Sequence, residues 1–267
     1  MASPRMSVPR FRAGKGKRRL VCLTAYDVLT ARMLDEAGVD LLLVGDSLGN
    51  VVLGYDTTLP VTLDDVISHA RAVMRACPRA LVVADMPFLT YHITPEETLR
   101  NAGRLIKEAG VDGVKLEGGE SRVPHIRALI EAEIPVMGHL GLTPQSVLEF
   151  GGYRIQGRTP GDVDRLVADA RALVKAGCFA LVLEGMPAAV AARITEAAAV
   201  PTVGIGAGVS CDGQILVTPD LLGMTERIPK FVRPYADARA ITIDAVRRYA
   251  DDVREGRFPG PEETYDA

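Results

Sequence analysis

The sequence predicts an α/β protein, a (β/α)8 barrel formed as a single domain. Three observations carry this. First, eight short apolar runs alternate with helical patterns from end to end. They are continuous rather than alternating, as expected of parallel strands covered on both faces. Second, a helix–turn–strand unit recurs. Ala37-Gly38-Val39-Asp40, Ala109-Gly110-Val111-Asp112 and Ala176-Gly177-Cys178-Phe179 each close a helix and lead into an apolar run. Those runs end in Asp46, Glu117 and Glu184, which lie eight, seven and seven residues past the glycine. Third, 267 residues suit one barrel of this kind. An open doubly wound sheet competes, but it wants a glycine fingerprint after its first strand. That strand ends instead in Thr24-Ala25-Tyr26-Asp27.

The strands are expected at Leu20–Tyr26, Leu41–Gly45, Ala80–Met86, Gly113–Glu117, Pro135–Leu140, Ala180–Glu184, Pro201–Ala207 and Gln214–Thr218. Between them the helices announce their ends. Thr62 to Asp65 opens one, with Val66, Ala70, Val73 and Cys77 on one face. Thr94-Pro95-Glu96-Glu97 reads as a capping box with proline at the first helical position. Leu99, Ala102, Ile106 and Ala109 then repeat at helical spacing until Gly110 ends the run. Gly161 leads into Val163, Leu166, Ala170 and Val174, ended by Gly177, and a last long helix runs from about Ala236 to Val253. The expected organisation is a basic arm over residues 1–18, a catalytic barrel over 19–257 and a tail over 258–267.

Composition removes several classes. Apolar residues are 48% and charged residues 24%, the balance of a globular chain. The longest apolar runs are far short of the ~18 residues a membrane span needs, so no membrane partner is expected. A net charge of −3 argues against nucleic acid as the main partner. Cys22, Cys77, Cys178 and Cys211 stand singly, without zinc spacing, and read as buried reduced thiols of a cytoplasmic protein. The first twenty residues carry seven Lys/Arg and no acid, without the apolar core of a secretory signal. They read as a solvated basic arm rather than a transit peptide.

In a barrel the chemistry sits at the carboxyl ends of the strands. Asp46, Asp85 and Glu117 end three successive strands. Any one of them could cap a helix or sit in a solvated loop. Three converging carboxylates, however, repel one another and hold protons more tightly. A hard divalent cation such as Mg2+, which takes oxygen ligands, resolves that conflict. Lys115 lies two residues before Glu117 and so shares its face. It either pairs with the acids or clamps a substrate carboxylate, to which Ser47 can add its hydroxyl. Glu184 stands apart on the sixth strand, placed either as a helix N-cap or as a base that removes a proton α to a carbonyl. His139 either polarises an oxygen in the site or is a satisfied core histidine. Gly204-Ile205-Gly206-Ala207-Gly208 invites a phosphate-loop reading, but Cys211 occupies the place of the third glycine. A tight strand-to-loop passage is the simpler account.

Taken together, the motifs resemble the ketopantoate hydroxymethyltransferase family. They include Leu23-Thr24-Ala25-Tyr26-Asp27, Val44-Gly45-Asp46-Ser47-Leu48-Gly49, Ala84-Asp85-Met86-Pro87-Phe88 and Val114-Lys115-Leu116-Glu117-Gly118-Gly119. Gly138-His139-Leu140-Gly141-Leu142-Thr143-Pro144-Gln145, Gly151-Gly152-Tyr153-Arg154-Ile155-Gln156-Gly157-Arg158, Leu183-Glu184-Gly185-Met186-Pro187 and Cys211-Asp212-Gly213-Gln214-Ile215-Leu216-Val217 follow in order. The resemblance covers residues 20–260. It implies a Mg2+-dependent barrel enzyme that moves a one-carbon unit from 5,10-methylenetetrahydrofolate to 3-methyl-2-oxobutanoate through an enolate, giving 2-dehydropantoate for pantothenate synthesis. It implies Asp46, Asp85 and Glu117 as metal-site acids, and Asp46, Ser47, Asp85 and Lys115 as oxo-acid contacts, to which the strand-end reading adds His139. It implies Glu184 as the general base. It also implies a homo-oligomer of ten subunits.

Two alternatives remain at this level. One is an oxo-acid lyase or mutase of the phosphoenolpyruvate-mutase and isocitrate-lyase type, which product formation dependent on methylenetetrahydrofolate would exclude. The other is a non-catalytic oxo-acid-binding barrel, which would bind ligand without turnover.

Overall fold

The computed structural model describes residues 5–76 and 78–265; Cys77, expected on a helix face with Val66, lies outside the described residues. The chain divides into two compact units, Met1–Val217 and Thr218–Ala267. The first contains α1 (Val8–Arg12), β1 (Leu20–Thr24), α2 (Val28–Glu36), β2 (Leu41–Val44), α3 (Leu48–Val51), α4 (Leu63–Met74), β3 (Leu81–Asp85) and α5 (Pro95–Arg104). It continues with β4 (Gly113–Glu117), α6 (Val123–Glu131), β5 (Val136–Gly141), α7 (Val147–Phe150), α8 (Pro160–Ala176), β6 (Ala180–Glu184), α9 (Ala188–Ala197), β7 (Thr202–Ile205) and β8 (Gly213–Leu216). The strands form a closed barrel in sequence order, β1 through β8, with β8 pairing back to β1. The predicted (β/α)8 architecture is the observed one.

Local chemistry explains most boundaries. The Thr62 side chain accepts from the Asp65 amide while the Asp65 carboxylate accepts from Thr62, a complete capping box that starts α4. At α5 only the Thr94 half of the expected box forms, Thr94 accepting from the Glu97 amide. The three repeat glycines, Gly38, Gly110 and Gly177, have φ of 83°, 79° and 113°. That left-handed geometry ends a helix cheaply only at glycine. The seventh strand is shorter than the apolar run suggests. Gly206 and Gly208 both have positive φ and turn the chain out of the sheet after Ile205.

The barrel interior is read off the strands at period two. Leu20 and Cys22, Leu41 and Leu43, Leu81 and Val83, Ala180 and Val182, and Val203 and Ile205 belong to one buried cluster. The same alternation continues upward into Asp85 after Val83, His139 after Met137 and Glu184 after Val182. Apolar layers thus fill the lower barrel, and ionisable groups occupy the layer above.

The basic arm is not merely solvated, as the sequence suggested. Phe11 on α1 is fully buried and joins the cluster formed by the first residues of the strands. Its ring meets Phe179 edge-to-face at 6.0 Å and 85°. Lys15 Nζ bonds Asp212 Oδ2 at 2.8 Å and the Thr195 carbonyl at 2.6 Å. The arm's charges made it look soluble, but one phenylalanine in it is worth about 2–3 kcal/mol of apolar burial and stoppers the lower end of the barrel.

The second unit holds α10 (Thr218–Leu221) and α11 (Ala238–Arg254). Asp237 caps α11 by accepting from the Ala240 amide, two residues beyond the expected start. Tyr249 and Phe258 pack edge-to-face at 5.4 Å.

Candidate active site

Strand register assembles the site. Asp85 on β3 pairs with Lys115 on β4, and Glu117 on β4 pairs with His139 on β5. In a parallel sheet paired residues share a face, so these four side chains meet inside the barrel. Asp85, Lys115, Glu117 and His139 are all buried, as is Asp46 just past β2. Glu184 ends β6 at the rim, with 18% of its side chain exposed. It is not a helix cap, because α9 begins at Ala188 with Pro187 before it. Gly141 at the end of β5 has φ 101°, and a Cβ there would overlap the Glu184 carbonyl oxygen. Only glycine lets the two strand ends close so that the Leu142 amide donates to that oxygen at 2.9 Å.

Distances define the cluster. Lys115 Nζ lies 2.9 Å from Asp85 Oδ1 and 3.8 Å from Glu117 Oε1. His139 Nδ1 is 3.2 Å from Lys115 Nζ and 3.3 Å from Glu117 Oε1, and its Nε2 is 3.3 Å from Glu184 Oε2. Asp85 Oδ2 accepts from the Asp46 amide at 3.0 Å. Ser47 Oγ is 2.8 Å from Tyr26 Oη. All seven side chains singled out in the sequence therefore occupy one end of the barrel.

The electrostatics are only partly as expected. Burial, then the charges of Asp85 and Glu117, push the Asp46 carboxyl well above its ordinary range. Glu117 goes the other way. Burial opposes its charge, but a bond from His139 and the charges of His139 and Lys115 outweigh it and hold the carboxyl low. The expected repulsion acts on Asp46, while His139 and Lys115 offset it at Glu117. Lys115 itself is disfavoured by burial, yet Asp85, Glu117 and Asp46 together hold it charged, above its usual range. His139 is disfavoured by burial and by Lys115, but Glu117 and Glu184 raise it to about 9.

That last shift has a consequence for stability. Folding favours the charged imidazole, so the stabilisation is complete below the ordinary value of 6.5 and is lost as pH rises through about 9. In the metal-free protein, unfolding free energy is expected to fall by up to about 3 kcal/mol across that window from this group. Urea midpoints at pH 6.5 and 9.5 check it. His139→Gln should flatten the slope, and an equally steep slope in that variant would assign the effect elsewhere.

The donor set has the chemistry of a hard-cation site. Asp85 Oδ1 and Glu117 Oε1 are buried oxygens whose partners are cations, Lys115 and His139. As the side chains stand they face Lys115, and among the described residues no three His, Cys, Asp or Glu groups converge closely enough to hold a metal.

Sequence reading missed three residues that build the site. Tyr26 orients Ser47, and Tyr91 and Gln145 tie the acids together. Tyr26 and Gln145 were visible only as parts of motifs, and nothing in their local spacing marks a buried contact. Two other histidines have structural partners: His69 Nδ1 bonds the Tyr26 carbonyl at 2.7 Å and His125 Nδ1 bonds Thr98 Oγ1 at 2.9 Å. Cys22, Cys178 and Cys211 are buried free thiols. No helix among the described residues is long and apolar enough to cross a membrane.

A parallel barrel with buried acids, a lysine and a histidine at its carboxyl end has the layout of an α/β-barrel enzyme. The comparisons narrow the class. Solved barrels resemble it in fold: 2,3-dimethylmalate lyase, of the PEP mutase/isocitrate lyase superfamily, at TM-score 0.61 and 19% identity, covering 98% of this chain and 90% of that one. Phosphonopyruvate hydrolase, solved with oxalate and Mg2+, matches at TM-score 0.63 and 14% identity, covering 97% and 93%. At such identities they speak for the barrel alone. The family model for ketopantoate hydroxymethyltransferase matches residues 5–261. The 3-methyl-2-oxobutanoate hydroxymethyltransferase of Moorella thermoacetica is 54% identical over 98% of each chain. The chain belongs to the ketopantoate hydroxymethyltransferase family, and it is a transferase.

Proposed function

We propose that the chain places a hydroxymethyl group on 3-methyl-2-oxobutanoate, as the names of its relatives suggest, and does so at the buried cluster, with Glu184 as the base and with Lys115, Ser47, Asp46, Asp85 and His139 holding the oxo acid. One observation carries the reading: Lys115 is a buried cation packed among the buried acids Asp85 and Glu117, 2.9 and 3.8 Å away, with buried Asp46 and His139 beside them at the carboxyl end of the barrel. A folded protein rarely tolerates such a set unless a ligand completes it. The Lys115 ammonium is placed to meet the substrate carboxylate, and Ser47, oriented by Tyr26, adds a hydroxyl donor. Glu184, at the rim, can reach the C3 proton of the substrate. His139, between Glu117 and Glu184, donates toward an oxygen in the site.

Asp46, Asp85 and Glu117 are the residues whose oxygens would hold Mg2+, once drawn closer together than they stand without it. Bound there, Mg2+ supplies positive charge for the oxygen that becomes negative in the enolate. The donor of the one-carbon unit is 5,10-methylenetetrahydrofolate on this reading, supported by the family resemblance. The same resemblance supports a cytoplasmic homo-oligomer of ten subunits.

Lys115→Ala tests the clamp. The KM for 3-methyl-2-oxobutanoate is expected to rise by about 10- to 100-fold, the weight of a charged hydrogen bond of ~1.5–3 kcal/mol. Steady-state kinetics on a variant shown to be folded measure it. An unchanged KM would remove the clamp, and loss of folding would make Lys115 a structural partner of the acids.

A further inference from the structure

Gln145 lies just beyond β5 and is buried. Every polar atom of its side chain is used. Nε2 donates to Asp46 Oδ2 at 2.8 Å and to the Met86 carbonyl at 3.0 Å. Oε1 accepts from Tyr91 Oη at 2.6 Å. The Met86 carbonyl and the Asp46 carboxylate can only accept, so the amide has one possible orientation. Its backbone amide donates to Glu117 Oε2 at 3.0 Å. Tyr91 closes the ring by accepting from the Glu117 amide at 3.2 Å. Tyr91 is 1% exposed.

The ring ties one oxygen of each of two acids to the protein wall. It holds Oδ2 of Asp46 and Oε2 of Glu117. Glu117 Oε1 is thereby turned inward, toward His139 Nδ1 at 3.3 Å and Lys115 Nζ at 3.8 Å. A carboxylate on a single-bonded stem would otherwise rotate, and a buried network with every member satisfied prevents this.

We infer that Gln145, held in place by Tyr91, is a positioning residue for hydroxymethyl transfer: it fixes which oxygens of Asp46 and Glu117 face the reacting centre. This rests on the reading that those two acids belong to the active site. Gln145 touches Asp46 but neither Lys115 nor Ser47 in the contacts above, so the clamp on the substrate carboxylate stays in place and the larger loss should fall on the reacting geometry.

The test uses the full chain and four variants: Asp46→Asn, Gln145→Leu, Tyr91→Phe and the Gln145→Leu/Tyr91→Phe double. Each is compared with wild type by melting temperature, kcat and KM for 3-methyl-2-oxobutanoate. Gln145→Leu is expected to lower kcat by about 10- to 100-fold, the effect of losing a hydrogen bond to a charged group, with KM within about threefold of wild type. Tyr91→Phe should lower kcat by about 3- to 10-fold, the size of one neutral hydrogen bond. Because Tyr91 acts in part through Gln145 and in part on the Glu117 amide, the double should be slower than Gln145→Leu by less than the full Tyr91→Phe loss. If Gln145→Leu does not fold, a Tyr91→Phe loss confined to kcat supports the inference and wild-type kcat in Tyr91→Phe overturns it. Wild-type kcat in both single variants, with Asp46→Asn inactive, overturns the positioning role alone. Full activity in Asp46→Asn overturns the site reading and the inference together. A melting temperature that falls while kcat and KM change equally would make Gln145 a packing residue only.

Discussion

Asp85→Ala is expected to abolish turnover and weaken Mg2+ binding while the barrel stays folded. Asp85 sits at the top of the interior layer, with Oδ2 on the Asp46 amide and Oδ1 toward Lys115. Removing it frees the turn that carries Asp46 and takes one oxygen donor out of the proposed cation site, and the remaining acids do not complete the shell. Breaking a buried pair costs about 3–5 kcal/mol when the other charge is stranded. Here Lys115 keeps Glu117 at 3.8 Å, so the loss falls mainly on function. Calorimetric titration with Mg2+, circular dichroism and the hydroxymethyl-transfer assay measure the three parts separately. Near wild-type turnover at sub-millimolar Mg2+ would remove Asp85 from the proposed set.

Glu184→Gln has the next largest expected effect. The substitution preserves shape and hydrogen-bonding reach but removes the ability to accept a proton. Turnover is expected to fall by about 10²–10⁴-fold, the weight of a general base. Binding of Mg2+ and of the oxo acid should persist, because Glu184 is outside the buried set and touches only His139 within it. Equilibrium titrations of the variant with both ligands check this. Loss of binding along with turnover would show that Glu184 holds the site together rather than moving the proton.

The fold was legible because its signals are periodic. Continuous apolar runs and the Ala-Gly turns at residues 37–38, 109–110 and 176–177 marked the repeating unit, and the positive φ of Gly38, Gly110 and Gly177 shows why glycine stands there. The strand-end acids were legible for the same reason: parity carries Val83 into Asp85 and Val182 into Glu184. What stayed hidden depends on contacts between distant segments. Phe11 looked like part of a charged arm because its burial depends on meeting Phe179, far along the chain. Gln145 reaches Asp46, 99 residues away, across three strands. The direction of the Glu117 shift needed the position of His139, which register sets and spacing along the chain does not.

The proton-removal step can be watched by itself. Incubating the enzyme with 3-methyl-2-oxobutanoate and Mg2+ in D2O, without folate, and following the C3 hydrogen by proton NMR isolates what Glu184 does before any one-carbon donor is needed. Wild type is expected to exchange C3–H for deuterium, and Glu184→Gln to lose exchange by the same factor as overall turnover. Exchange at the wild-type rate in Glu184→Gln would show that Glu184 is not the base.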